Sequence, residues 1–169
     1  MDEQEFDDFY VAGFARLTGQ IYAMIGDRDE AEECVQEAFI RAWSNRRQLE
    51  LASHPEAWVR TTAYRLAVSR WRRFKRGRRP ADRALSPAVS APPPDENRVA
   101  LIRALNELPD AQRRALVLHH ICDLPVQQIA EETGVPAGTV KARLSRGRVA
   151  LAALLDSSTD DIPGGATHA

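Results

Sequence analysis

Apolar residues in the first part of the chain recur every three or four positions: Phe6, Phe9, Tyr10, Phe14 and Leu17, then Ile21, Tyr22 and Ile25. That spacing puts them on one side of a helix, and no run alternates strictly as a half-buried strand does. Gly26-Asp27 interrupts the pattern, and Asp29 has the side chain of an N-cap for a second helix. This helix carries Ala31, Val35, Ala38, Phe39, Ala42 and Trp43 along one stripe. A loop is predicted over about 45–54. Pro55 then suits the first turn of a third helix, where its missing N–H costs nothing.

Over 77–97 the apolar repeat disappears. Five of the ten prolines fall there among Ala and Ser, including Pro92-Pro93-Pro94, a composition poor in anything that builds a core. Helical spacing returns with Val99, Ile102, Leu105 and Leu108 on one face. Pro109-Asp110 opens a helix that ends near Asp123, Val126–Thr133 forms a short one, Gly134-Val135-Pro136 turns, and a longer helix runs from Ala137 to about Leu155. After Asp156 the chain is rich in Ser, Asp, Gly and Pro and reads as disordered. The predicted fold is all-α: a helical domain over 5–76, a flexible proline-rich linker over 77–97, a second helical domain over 98–156 and a tail over 157–169.

Composition permits a packed fold, with 44% hydrophobic and 28% charged residues, and the net charge of −1 points to no partner by itself. Its distribution does. Acidic residues dominate from Met1 to Val59, whereas Arg60 to Arg79 holds nine basic residues and no acidic one. One surface is therefore expected to meet a basic partner and another to meet phosphates. Cys34 and Cys122 lie far apart at apolar helical positions and read as reduced core thiols. His119, His120 and Cys122 could offer three zinc ligands, but no second cluster completes a site, and neighbouring His119 and His120 should point in different directions on a helix. No metal or other cofactor is expected. No Ser-His-Asp set or phosphate loop appears either, so nothing supports an enzyme. The acidic start is unlike a secretory signal and no apolar run is long enough to span a bilayer, so the expected location is the cytoplasm, without membrane insertion.

The strongest local signal is Val126 to Arg146. Ala130 is small where two helices cross, Gly134 sits where a left-handed residue ends a helix, and Val135, Ile129, Val140 and Leu144 complete a small core. That leaves Thr139, Lys141, Ala142, Arg143, Ser145 and Arg146 on the outside of the second helix, a helix-turn-helix arrangement suited to the major groove. Arginine can grip guanine with two hydrogen bonds, while Lys and Ser hold phosphates. The plain alternative is a helical hairpin with a solvated basic face. Upstream, the helix from Asp29 to Trp43 shows carboxylates outward, ordinarily a solvated acidic face. The next helix, Glu56 to Arg73, interleaves Trp58, Tyr64 and Trp71 with arginines, as single-strand binding surfaces do. Trp58 fits a core position at least as well.

These segments together resemble the sigma factors of bacterial RNA polymerase. Asp29-x-Ala-Glu32-Glu33-x-Val-Gln36-Glu37-Ala-Phe-Ile-Arg41-Ala-Trp43 looks like their core-binding motif. Trp58 to Ala67 followed by Arg72-Arg73 is similar to their −10 recognition helix, and Leu108-Pro109 through Gly138 to Arg148 looks like their −35 reader. Two domains without an intervening third resemble the extracytoplasmic function (ECF) group. The resemblance implies a non-enzymatic initiation factor whose Asp29, Glu32, Glu33, Gln36, Glu37 and Arg41 dock on the polymerase core. It implies that Ser53 and His54 help hold a flipped base, that Trp58, Thr61, Thr62 and Arg65 meet the melting −10 region, and that Arg70, Arg72 and Arg73 take phosphates. Thr139, Lys141, Ala142, Arg143, Ser145, Arg146 and Arg148 would face the −35 duplex. The implied partners are RNA polymerase core, through its clamp helices and flap, and promoter DNA, and the resemblance admits an anti-sigma factor. Three positions depart from the pattern: Pro125 stands where a capping Ser is frequent, Ser69 where Asp is common, and Arg65 where Asn or Arg occurs. A stand-alone helix-turn-helix regulator is the alternative reading.

Overall fold

In the computed structural model, residues 1–75 and 95–160 are described. The chain divides into two compact units, Met1–Pro92 and Pro93–Ala169. Every regular element among the described residues is helical, in keeping with the all-α expectation. No described helix is long and apolar enough to cross a membrane.

Unit 1 holds α1 (Glu3–Ile25), α2 (Arg28–Ser44), α3 (Arg46–Leu51) and α4 (Pro55–Lys75). Asp2 opens α1 with a capping box: its carboxylate accepts from the Glu5 N–H at 2.8 Å, and its own N–H donates to the Glu5 carboxylate at 2.8 Å. Gly26 closes it at φ 77°, its N–H donating to the Tyr22 carbonyl. The chain re-enters a helix at once, so the N-cap of α2 is Asp27, which accepts from the Glu30 N–H at 3.1 Å. The expected cap, Asp29, lies instead in the first turn, where the helix dipole favours a carboxylate.

Within the predicted 45–54 loop, the six residues of α3 are pinned by Leu49, which is buried. Pro55 starts α4 as expected, and the His54 carbonyl accepts from Ala57 and Trp58. α1, α2 and α4 pack on one another around Leu17, Ile21, Val35, Phe39, Val59 and Ala63. Phe39 is the hub of an aromatic cluster, with ring centroids 5.0 Å from Tyr10, 5.5 Å from Phe9 and 6.3 Å from both Phe6 and Phe14. Such pairs each add about 0.5–1.5 kcal/mol beyond area burial.

Unit 2 holds α5 (Glu96–Asn106), α6 (Asp110–Leu116), a π-helical turn (Val117–Ile121), α7 (Val126–Thr133) and α8 (Ala137–Asp160). The expected linker lies outside the described residues except for its last three: Asp95 accepts from the Asn97 N–H, and α5 already begins at Glu96. Ile102, Leu105, Leu108, Leu116, Leu118, Ile129, Val140 and Leu144 form the core.

The predicted helix up to Asp123 is two pieces. It widens into the π turn at Val117, and Asp123 takes a left-handed φ of 55° to redirect the chain. An i→i+5 turn makes neighbouring side chains diverge less than an α-helix does. The rings of His119 and His120 consequently meet edge to face at 4.8 Å and do not point apart as expected. α8 runs past the predicted Leu155 to Asp160. Leu154 and Leu155 extend its half-buried side, and the Ser157 and Ser158 hydroxyls return to the Ala153 and Leu154 carbonyls at 2.9 Å without ending the helix. The remainder of the expected tail, 161–169, lies outside the described residues.

Candidate nucleic-acid and partner interfaces

On α2, helical periodicity turns Ala31, Cys34, Val35, Ala38, Phe39 and Ala42 inward. Asp29, Glu33, Gln36 and Arg41 are exposed on the other side, with Glu32 and Glu37 half-buried. These carboxylates are not equally available. Arg70 of α4 donates from Nη1 to Glu33 Oε2 at 3.1 Å and to Glu30 Oε1 at 3.3 Å. Glu37 accepts from Arg41 Nε at 3.1 Å within the helix. Cys34 Sγ donates to Glu30 at 3.5 Å, and burial, aided by the charge of Glu30, pushes its thiol up to about 12. Ile40, 58% exposed, sits among the outward residues. Sequence reading passed over it, although its place outside the apolar stripe was the available signal.

On α4, Thr61 and Thr62 lie three and four positions after Trp58, Arg65 lies four and three positions after them and Arg72 seven after Arg65, away from buried Val59, Ala63 and Ala67. Arg65, Arg72 and Arg73 are exposed; Trp58, Thr61 and Thr62 are half-buried. The Thr62 hydroxyl donates to the Trp58 carbonyl at 2.8 Å. Ser53 and His54 are exposed just before the helix.

Two of the basic residues in this run are not on that face. Arg70 faces α2 through its two carboxylates, apart from Arg72 and Arg73. Arg60 is 3% exposed and donates to Gln20 Oε1 at 3.1 Å, a buried polar contact between α4 and α1. Trp71, one of the aromatics interleaved with arginines in the sequence, is 53% exposed, and Phe74 (38%) was missed as a surface aromatic; Lys75 Nζ lies 4.1 Å from the Trp71 ring centre.

In unit 2, α7 and α8 form the helix-turn-helix. Gly134 has φ 69°, which a side chain tolerates poorly, and its N–H donates to the Ala130 carbonyl at 2.9 Å. Pro125 occupies the N-cap of α7 with no side-chain acceptor. Val140, Leu144 and Gly147 are buried on one side of α8. A Cβ on Gly147 would stand 3.0 Å from the Leu116 side chain, so this glycine lets α8 approach α6 closely. Lys141, Ser145, Arg146 and Arg148 are exposed, and Thr139, Ala142 and Arg143 are half-buried. Arg148 Nε donates to His120 Nε2 at 3.2 Å. That contact gives it a structural partner beside the π turn. Val149, 72% exposed, extends the outward surface beyond Ala142 and Arg146 and was not singled out from sequence. His119 Nδ1 bonds the Leu124 carbonyl at 2.9 Å, and burial, then Arg148 and His119, hold His120 below the usual imidazole range. No group of three metal-ligating side chains occurs among the described residues.

Residues 14–77 match the Sigma-70 region 2 family, and residues 98–151 match Sigma-70, region 4. The chain is 29% identical over 170 residues to the ECF RNA polymerase sigma factor SigW of Bacillus subtilis (strain 168), covering 89% of this chain and 88% of that one. It is 32% identical over 129 residues to the ECF RNA polymerase sigma factor SigL of Mycobacterium tuberculosis (strain ATCC 35801 / TMC 107 / Erdman), covering 72% of each. Among solved structures, the sigma factor RpoE from Bartonella quintana, crystallised with the anti-sigma factor NepR, is similar with a TM-score of 0.76 at 26% identity. That similarity covers 90% of this chain and 98% of RpoE.

Proposed function

Because the chain belongs to the ECF RNA polymerase sigma factors, which support promoter-specific transcription initiation, we propose that α2 docks it on polymerase while α4 and α8 read the two promoter elements. The observation that carries this reading is the separation of charge in unit 1: exposed carboxylates on α2 and an outward cationic row on the adjoining α4. Polymerase clamp helices take the first, through Asp29, Glu32, Glu33, Gln36, Glu37 and Arg41, with Ile40 as an apolar contact. Promoter DNA takes the second.

Ser53 and His54 border the pocket for a flipped −10 base, and Trp58, Thr61, Thr62 and Arg65 contact the melted strand. Arg72 and Arg73 neutralise phosphates, and Arg70 joins them only on leaving its carboxylates. Stacking and phosphate contacts offset the few kcal/mol that unpairing each base costs. In unit 2, Arg143 and Arg146 read base edges at −35 beside Thr139, Lys141, Ala142, Ser145 and Arg148, while the unit docks on the polymerase flap. Polymerase performs all covalent chemistry, in the cytoplasm. The pairing of RpoE with NepR supports an anti-sigma factor as a further partner.

Run-off transcription with purified core tests the reading. The protein should confer initiation at specific promoters, and Arg143→Ala with Arg146→Ala should lower −35-dependent transcript by about tenfold or more. Tight binding to duplex operators without core, together with no transcript, would make it a stand-alone regulator instead.

A further inference from the structure

The docking face proposed for α2 is not free in the isolated protein. Among the described residues, Glu33 is the carboxylate of that face held by another helix, and the group holding it, Arg70, comes from α4. The same guanidinium nitrogen also reaches Glu30 Oε1 at 3.3 Å. The two carboxylates differ in exposure: the Glu33 side chain is 60% exposed and Glu30 25%. Glu33 is therefore reachable by an incoming cation, whereas Glu30 sits back against Cys34.

We infer that Arg70 is an internal competitor for the polymerase-docking carboxylate Glu33, so that engaging polymerase and loosening Arg70 from α2 are coupled. This rests on the docking role proposed for α2. A cationic group of the polymerase that takes Glu33 leaves Arg70 with Glu30 alone, and the guanidinium then moves more easily toward the outward row of Arg72 and Arg73. Coupling of this kind is reciprocal: whatever draws Arg70 away from α2, a DNA phosphate included, strengthens docking by the same factor. Glu30 is the acceptor that keeps Arg70 satisfied once Glu33 is taken, because both carboxylates share the same nitrogen. Without it, a cation that takes Glu33 must strip Arg70 of its last acceptor on α2. Removing it leaves Arg70 to Glu33 alone.

Opposite signs follow for two neighbouring substitutions, a pattern that general loosening of α2 against α4 does not produce. Arg70→Gln frees Glu33 and should tighten DNA-free binding to core polymerase by about two- to fivefold, the scale of a partly exposed ion pair. Glu30→Gln should weaken it, although Glu30 lies behind the docking face. Core affinity is measured by fluorescence titration of the full chain at low and high salt, with far-UV circular dichroism confirming the fold. Core binding that is unchanged or weaker in folded Arg70→Gln overturns the proposal. Should that variant not fold, Glu30→Gln decides: weaker binding supports the proposal, and unchanged or tighter binding overturns it. Glu37→Lys, at a residue that does not touch Arg70, separates this from the docking reading. If it leaves core affinity unchanged, the docking face itself is wrong.

Discussion

The two units use charge in different ways. In unit 1 two of the groups proposed to meet outside partners also hold the helices together, since Glu33 of α2 grips Arg70 of α4; Glu30 shares that arginine, and Arg16 of α1 pairs with Glu56 of α4. Beneath them lies an aromatic core centred on Phe39. In unit 2 the core is aliphatic and close-set, with Gly147 against Leu116, and the outward side of α8 is separated from it by periodicity alone. Arg148, bonded to His120 of the π turn, is the exception. A change on one proposed surface of unit 1 should therefore reach the other, whereas most of the α8 face can change without disturbing its support.

The comparison is broken most severely through the cores. Phe39→Ala should destabilise unit 1 by about 3–5 kcal/mol, because it removes the ring that four others touch and leaves a cavity. Tryptophan fluorescence follows unit 1 selectively, since Trp43, Trp58 and Trp71 all lie there, and far-UV circular dichroism sees both units. The fluorescence transition should fall while a later circular dichroism transition remains. Gly147→Val is the counterpart in unit 2. Its added methyls meet Leu116 and should cost about 1–3 kcal/mol by overpacking. Only circular dichroism should move. A fluorescence midpoint displaced as far as the dichroism midpoint would show that the units do not unfold independently.

Much of this was legible in the sequence where periodicity was long or a residue type had one use. The bounds of α7 and the left-handed Gly134 agree with expectation because a small residue, a turn glycine and a buried stripe all demand the same geometry. Other features needed the third dimension. Asp27 and Asp29 are chemically alike, and only the backbone leaving Gly26 selects Asp27 as the cap. α3 contributes a single buried residue, Leu49, too little for a repeat to show. The basic run reads as one surface that meets phosphates, yet Arg60 and Arg70 reach Gln20 and Glu30, each forty positions away in sequence. On α4, Trp58, Thr61, Thr62, Arg65 and Arg72 lie away from the buried residues, but Arg70 faces α2 and Arg148 of α8 bonds His120, and the composition of the basic runs could not single out either. The π turn that brings His119 and His120 together has no compositional mark.

The smallest expected effect belongs to that histidine pair. His120 faces His119 and accepts from Arg148 of α8, and Asp123 lines the same open cleft. Burial first, then the charge of Arg148 and the proximity of His119, lower its folded value below the 6.5 of an ordinary imidazole. A base so placed binds its proton less readily in the native than in the unfolded chain. Its contribution is therefore complete above the unfolded value and is lost as the pH falls from there toward the lowered folded value. Protonation also turns Nε2 from acceptor to donor, which removes the bond from Arg148. Acidifying from about pH 7.5 to about pH 5.5 should lower the dichroism-detected Tm of unit 2 more in the native protein than in His120→Gln, which keeps an acceptor but cannot titrate. The difference should be modest because the ring is largely in water, where neighbouring charges are screened. Equal pH dependence in the two proteins would mean that Arg148 does not need His120, and the α8 face would then be independent of its support throughout.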